Sequence, residues 1–479
     1  MSDPVLRFAP SPTGGFHVGN ARTALFNFLY TRHYGGRLHL RIEDTDRDRS
    51  TDAALRTIQE GLDWLGIAFH GQPVFQSGNA AVHRKTVDRL LETGHAYYAY
   101  ETPEEVRALQ QQAQAEGRRV RYKRDLTPEQ REAFESEGRP KTVRFRVPEG
   151  ETVWQDPIRG AQRWDNLEVE DFIILRADGS PIYHLAVVVD DHDLGVTLVI
   201  RGAEHLSNTP KQVMLFQALG WAVPAYAHTT LLMGPDGRKL SKRLGATTVT
   251  EYRQQGILPE ALFNFLALQG WSPGVDREVF TQEELVEAFS VEGMLRKNAV
   301  FDERKLVWLN GEHLRLKPVS ELLPEALKLW IDAGWITPQD ADARRSSLLR
   351  AVSLMQPRIQ IVRDFLNFEY FFNDPQSYEE KARKKHWKVD SPSRLALLID
   401  RLEALSDFGE REIEGATRTL SGQLGISTGK LIHPTRLALS GTNMGPGLFE
   451  MMDVLGQETC IRRMKTGLER LGRRETAPQ

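Results

Sequence analysis

The sequence predicts an α/β protein whose parallel sheet is split by a mixed insertion and followed by a long all-helical half. Three observations carry this. Near the start, a short apolar run, a Gly/Pro turn and a helical pattern lead into a second strand, which is a βαβ unit and hence a parallel sheet. A near-continuous apolar run, "GVTLVIRG" (195–202), resumes that sheet after a stretch of different texture, as buried parallel strands do. From "GRKLSKRLGATTV" onward the pattern is helical nearly to the end.

Residues 5–8 read as the first strand and 19–34 as a helix with Ala21, Leu25, Phe28 and Leu29 on one side. "GGRLHLRIED" alternates like the second strand, and a helical stretch follows to about residue 95. Residues 102–140 are polar and helix-like, and "TVRFRV" alternates. "FIILRADGSPIYHLAVVVDD" reads as two strands about an Ala-Asp-Gly-Ser turn. In the helical half, "SRLALLIDRLEAL" puts Leu395, Leu398, Leu402 and Leu405 on one face.

The 479 residues call for several domains. With 40% hydrophobic and 27% charged residues the chain is of globular type. A net charge of −3 means that any nucleic-acid surface is local. A single cysteine, Cys460, excludes an internal disulfide framework and a cysteine-cluster zinc site. There is no apolar signal segment and no run approaching the ~20 residues of a membrane span, so the expectation is a cytoplasmic protein with no membrane partner.

Two stretches carry chemistry. "APSPTGGFHVGN" (9–20) is a Gly/Pro turn opening a helix, whose unpaired N–H groups suit an anion. It matches neither phosphate-loop fingerprint, yet His17 stands one turn before the helix and Gly19 lets a flat group approach the backbone. Far downstream, "GRKLSKRLG" (237–245) packs Arg238, Lys239, Lys242 and Arg243 around Ser241 on a Gly-flanked loop. Two phosphate-seeking elements at either end of one split domain fit a nucleoside triphosphate held between them. In "RIEDTDRDRS", Glu43, Asp44 and Asp46 invite a metal reading. They follow a strand and have no histidine companion, so ion pairs to Arg41 and Arg47 are expected of the two aspartates.

Together, these stretches resemble the His-Ile-Gly-His and Lys-Met-Ser-Lys-Ser signatures of class I aminoacyl-tRNA synthetases. "RFAPSPTG", "RIEDTDRDRS" and "VVVDDHDLGVTLVIRGAEHLSNTP" narrow the resemblance to the bacterial-type glutamyl-tRNA synthetases, over nearly the whole chain and most sharply before residue 320. The resemblance implies a split Rossmann-like catalytic domain (1–81 and 186–237) and an inserted acceptor-end domain (82–185). It further implies a stem-contact domain (238–318) and a helical anticodon-binding region in two parts (319–377 and 378–479). The implied reaction joins glutamate to tRNA-Glu through a glutamyl-adenylate made from ATP, with Mg²⁺ accompanying the ATP. First attachment at the 2′-hydroxyl, a need for bound tRNA before activation, and a monomer are implied as well.

Residue by residue, the resemblance makes His17, Asn20, Lys239 and Lys242 catalytic. The ATP set adds Pro10, Gly14, Gly19, Glu204, Ser241 and Arg243. Arg7, Tyr183 and Arg201 are given the substrate's side-chain carboxylate, and Ser11 and Glu43 its α-amino end. Val187 departs from the pattern, standing where some relatives carry an asparagine that helps bind substrate. Some relatives hold zinc in the insertion through a C-x-C start; here "YYAYET" has Ala99 and Glu101 at those positions, so zinc is not expected. "RRVRYKRD" (118–125) is either a backbone-tracking stretch or a solvated helix end.

The chain continues in helices to its end, as the bacterial glutamyl enzymes do, with basic patches at 380–388 and 462–474. Lys384 and Lys385, in the first patch, are candidate contacts with the anticodon arm, and Arg358 resembles the arginine that reads the third anticodon base in some relatives, which would exclude tRNA-Gln. Charging of both tRNA-Glu and tRNA-Gln is the alternative. A catalytically inactive tRNA-binding relative lacks support, because the residues of both signatures are present. Trp335, Trp387 and Cys460 are expected to be packing residues.

Overall fold

Every side chain of Val5–Phe8 is buried, so the first apolar run forms a central strand, β1, and not an edge. The computed structural model describes residues 3–45, 50–117, 119–120, 122–238, 240 and 247–472. After β1 comes α1 (Val18–Tyr34), closed by Gly35 in the left-handed region (φ 70°), whose N–H bonds Thr31 O. β2 (Arg37–Ile42) then pairs in parallel with β1, Val5 opposite Arg37. Past α2 (Asp52–Trp64), the short β3 (Val74–Phe75) adds to β2, also in parallel. The one-sided helix expected from the sequence is buried nearly all round, including Ala24 and Phe26. The sheet covers one side of α1; on the other, Phe28 meets Phe263 edge-on and Phe26 meets Phe289, each pair at 6.1 Å between ring centres.

The next segment runs α3 (Ala80–Glu92), β4 (Ala96–Ala99), α4 (Pro103–Ala115) and α5 (Pro128–Ser136). Thr102 and Thr127 start α4 and α5 with reciprocal capping boxes ahead of a proline. β5 (Thr142–Phe145), the β6 (Glu151–Asp156)–β7 (Gly160–Asp165) hairpin and β8 (Ile173–Leu175) follow, with β4, β5 and β8 in one antiparallel sheet. The second strand expected after the Ala-Asp-Gly-Ser turn is instead a helix, α6 (Tyr183–Asp193). It packs against α3 and α7 (Thr209–Ala218), burying Leu185 to Asp191 without interruption. A helix with no exposed face reads in sequence like a buried strand.

β9 (Leu198–Gly202) and β10 (Ala225–Thr229) form a second parallel pair. Thr197 N–H bonds Val5 O (2.9 Å) and Val5 N–H bonds Thr197 Oγ1 (3.0 Å), which lays β9 beside β1. The strands thus run β3-β2-β1-β9-β10, and the order reverses between β1 and β9. The crevice at the carboxyl ends of those two strands is where an open parallel sheet binds ligands. Further on, β11 (Leu232–Met233) pairs with β12 (Ala299–Val300); α8 (Val249–Gln254) packs on α2, and α9 (Pro259–Ala267) and α10 (Gln282–Ala288) pack on α1, with Phe263 on α9.

Residues 1–254 with 259–306 make one compact unit, and 255–258 with 307–479 a second. α11 (Glu303–Leu316) spans the boundary, and the second unit runs on in helices with α12 (Val319–Asp332), α13 (Pro338–Ala343), α14 (Arg345–Met355) and α15 (Glu380–His386). It continues with α16 (Ser391–Glu403), α17 (Glu410–Gln423), α18 (Gly429–Ser440), α19 (Leu448–Leu455) and α20 (Gln457–Gly472). Its core contains Trp330, Phe365, Leu395, Leu398, Leu402 and Cys460, with Leu405, Trp335 and Trp387 partly buried against it. Burial pushes the Cys460 thiol up to about 12, so it behaves as a small apolar side chain. Among the described residues no helix is long and apolar enough to cross a membrane.

Candidate active site

The crevice at the strand reversal holds two adjoining cavities. The first, about 230 Å³, is lined by Arg7, Pro10, Ser11, Glu43, Tyr183, Arg201 and His205 among others. The second, about 300 Å³, is lined by His17, Gly19, Arg22, Thr230, Leu240 and Thr247 among others. Asn20, Thr23, Gly202 and Glu204 belong to both walls. A molecule in one cavity therefore faces a molecule in the other.

Charge in the first cavity is set by a buried network. Asp191 of α6 accepts from Arg7 Nε (3.1 Å) and from Arg41 Nη1, and Arg41 Nη2 reaches Glu43 Oε1 (3.2 Å). Burial works to raise the Asp191 carboxyl, and the Arg41 and Arg7 guanidiniums overcome it, holding it below its ordinary range. For Glu43 burial prevails over Arg41 and Arg7, and its carboxyl is pushed up. Arg201 has no carboxylate within ion-pair distance among the described residues; Gln212, Thr209, His205 O and His228 accept its N–H groups. Of the two arginines on the cavity wall, Arg7 is thus paired through Nε alone and Arg201 with no carboxylate among the described residues, while Glu43 and Glu204 share that wall.

The two cavity arginines differ in what they leave open. Arg7 spends only Nε on protein, so both terminal nitrogens are without protein partners among the described residues and form a fork toward the cavity. Arg201 commits all but one of its five N–H groups and offers chiefly its charge. Tyr183 Oη lies 3.4 Å from His205 Nδ1, and burial pushes its phenol up to about 12.

Burial, with Arg201 adding to it, pulls His205 down to about 4; burial, with Lys211, pulls His184 down to about 3. Both are neutral near neutral pH, whereas in the unfolded chain they regain an ordinary value of about 6.5. Their stabilising share is therefore complete above about pH 6.5 and is lost as the pH falls toward their folded values. Denaturant unfolding at a series of pH values is expected to show stability declining below about pH 6.5, with a shallower decline for His205→Asn.

In the second cavity, His17 is the N-cap of α1 but makes no side-chain capping bond, and the first turn contains no acidic residue. The helix start is thus open to an anion. Its backbone is fixed by a bridge to Thr248: Val18 N–H bonds Thr247 O (3.0 Å) and Val249 N–H bonds Phe16 O (2.9 Å). Residues 247–249 are thereby held beside His17, and Leu240 N–H bonds Leu232 O (3.2 Å). Lys239, Ser241, Lys242 and Arg243 themselves lie outside the described residues. Gly19 has open space above it, as a close approach to the backbone requires.

The structure gathers Arg7, Ser11, Glu43, Tyr183 and Arg201 on one wall, with His17, Gly19, Asn20 and Glu204 adjoining. Pro10 lines the first cavity and not the second, and Gly14 is exposed outside both. Val187 is buried within α6 and outside both cavity walls. Asp44 accepts from Ser77 N–H (2.8 Å) and Oγ (2.5 Å), and Arg41 pairs with Asp191 and Glu43 and not with Asp44. Asp46 and Arg47 lie outside the described residues.

Sequence reasoning missed Arg22, a buried cation on the second wall that donates to Gln269 O (3.0 Å) and Thr230 O. Burial pulls it down to about 10 against the attraction of Glu204. Its signal was an arginine inside the apolar helix "NARTALFNF". The buried Asp191 had a comparable signal in "VVVDD". In the basic stretch 118–125, Arg124 is bound bidentately by Asp171 (2.8 Å to each oxygen).

In the helical unit, Arg358 is exposed, with Nη1 bonded to Leu354 O (2.8 Å) and Nε to Gly445 O (3.2 Å). Lys384 is exposed on α15 and paired with Glu380, and Lys385 is exposed beside it. Arg463, within the basic stretch near the end, is buried and bonded to Asp374 (2.8 Å) and to the carbonyls of Tyr370, Leu439 and Asn373, so it serves the core.

The whole chain is similar to known proteins. Residues 5–308 match the family model "tRNA synthetases class I (E and Q), catalytic domain", and 319–468 match "Anticodon binding domain". Glutamate–tRNA ligase of Moorella thermoacetica is 44% identical over 476 residues, with 96% of each chain covered. Glutamate–tRNA ligase 1 of Caldanaerobacter subterraneus is 42% identical over 475 residues, with 98% of each covered. The crystal structure of a glutamate tRNA ligase from Elizabethkingia meningosepticum in complex with its amino acid superposes with a TM-score of 0.89 at 32% identity, covering 98% of this chain and 100% of that one. In sequence, fold and domain content, this chain belongs to the class I tRNA synthetases, among the glutamate–tRNA ligases.

Proposed function

We propose that the protein joins L-glutamate to the 3′-terminal adenosine of tRNA-Glu in two steps at the paired cavities. The observation that carries this is the shared wall of Asn20, Thr23, Gly202 and Glu204, which sets an amino-acid-sized site against a phosphate-seeking one. In the first step the α-carboxylate of glutamate attacks the α-phosphorus of ATP, forming an acyl–phosphate bond as pyrophosphate leaves. In the second, the ribose 2′-hydroxyl attacks the acyl carbon and AMP leaves. Arg7, Tyr183 and Arg201 hold the side-chain carboxylate, while Ser11 and Glu43 receive the ammonium. Because the terminal nitrogens of Arg7 call for a charged acceptor, glutamine leaves them without one, and selection needs no second, editing site.

His17 and Asn20 donate to phosphate oxygens as charge builds on them, and the α1 N-terminus adds its dipole. Gly19, on the second cavity's wall, shapes the ATP side; Pro10 lines only the first cavity and Gly14 neither, so both are left out of that set. Lys239 and Lys242, with Ser241 and Arg243, close over the pyrophosphate. Mg²⁺ enters as part of the ATP substrate. Among the described residues no group of three or more metal-ligating side chains exists, and Glu204 is the carboxylate on the second cavity's wall. That donor set fits an ion held by the triphosphate.

On this reading residues 82–185 receive the acceptor end, 238–318 meet the stem, and 319–377 with 378–479 take the anticodon arm through Arg358, Lys384 and Lys385. The enzyme acts as a cytoplasmic monomer. Charging with labelled glutamate on separate tRNA-Glu and tRNA-Gln transcripts tests it. Charging of tRNA-Glu alone is expected; charging of both removes the anticodon role given to Arg358, and charging of neither overturns the proposal.

A further inference from the structure

We infer that His228 and Asp156 are positioning residues that fix the Arg201 guanidinium, and through it the fit of the substrate's side-chain carboxylate. The inference rests on the reading that Arg201 receives that carboxylate. Arg201 Nε points at His228 Nε2 (3.2 Å). An arginine Nε always carries hydrogen, so the histidine nitrogen facing it must be the acceptor. The imidazole proton then sits on Nδ1, where Asp156 Oδ2 accepts it at 2.7 Å. Thr209 Oγ1, 3.0 Å from the same Nε2, accepts from Arg201 Nη2 (2.8 Å) and can turn its own hydrogen to His205 O (3.4 Å).

Asp156 is itself held tightly. Its Oδ1 accepts Ile158 N–H (2.9 Å) and Arg159 N–H (3.0 Å) in the turn of the β6–β7 hairpin, and its Oδ2 also accepts His228 N–H (3.1 Å). His228 and Asp156 side chains are both 0% exposed, so no solvent can replace either bond. The chain of bonds therefore runs from the inserted hairpin, through a histidine of one defined tautomer on β10, to the substrate arginine on β9. An apolar side chain at 228 would fill the space yet leave the buried Nε without an acceptor, so that Gln212, Thr209 and His205 O alone would set the tilt of the guanidinium.

Charging kinetics of the full-length enzyme with tRNA-Glu test this on His228→Leu, His228→Gln, Asp156→Asn and Arg201→Gln. His228→Leu is expected to raise KM for glutamate about tenfold or more while KM for ATP stays within about twofold. His228→Gln, whose amide oxygen can reach the Nε2 position, should recover most of that loss. Asp156→Asn, which releases the tautomer, should move the same constant in the same direction. If Arg201→Gln raises KM for glutamate but His228→Leu does not, the inference is overturned and the reading of Arg201 stands. If Arg201→Gln has no effect, the reading itself falls. A loss shared equally by glutamate and ATP constants, with no rescue by glutamine, makes the pair a fold element and also overturns the inference.

Discussion

Replacing Arg7 by glutamine is expected to lower kcat/KM for glutamate about a thousandfold, with KM for ATP nearly unchanged. Among the described residues, Arg7 Nε is the only atom of its guanidinium spent on protein; the fork of terminal nitrogens faces the cavity. A carboxylate accepted there makes two parallel charge-assisted bonds, and removing one partner of such a buried pair costs about 2–5 kcal/mol. Taken near the upper middle of that range, about 4 kcal/mol, the loss is about three decades. The fold is expected to survive, since Asp191 keeps its second arginine, Arg41. Arg7→Lys should recover only a small part, because an ammonium restores charge without the fork. Pyrophosphate exchange in the presence of tRNA measures both constants. A fall of less than tenfold for Arg7→Gln would remove the fork from substrate recognition.

How much of this was legible beforehand follows from the range of each interaction. β1, the Gly/Pro turn, α1 and β2 were legible because their signals are local: alternation, helix breakers and helical period within a few dozen residues. α6 was not, because complete burial erases the polar face that distinguishes a helix from a strand. The candidate site shows the same division. Arg7, His17, Glu43 and Arg201 stand next to strand ends and turns, so their place at the crevice could be inferred from the layout. The pairing of Arg41 with Asp191, and of Asp156 with His228, joins residues far apart in sequence. No periodicity reveals such partners; only an ionisable residue inside an apolar run hints at them, as Arg22 and Asp191 do. A net charge of −3 likewise says nothing of the arginines gathered at the crevice, because the whole-chain sum averages over such local clusters.

Replacing His17 by alanine is expected to lower the rate of adenylate formation about 10²- to 10³-fold while leaving KM for glutamate unchanged. His17 lines the second cavity only, so the amino-acid site should not feel its loss. Its side chain caps nothing, and its backbone is fixed by the Thr247 and Thr248 bonds, which the substitution does not touch. The variant should therefore keep α1 in place and lack one donor at the position where phosphate charge grows. A donor that acts on a ground-state phosphate would raise KM for ATP; one that acts as pyrophosphate departs lowers kcat and kcat/KM together. Single-turnover adenylate formation separates the two. His17→Asn, which returns an N–H donor on a shorter arm, should recover part of the rate. An unchanged rate with a raised KM for ATP would instead make His17 a binding residue and leave the transition-state charge to the helix terminus and the lysine-rich loop.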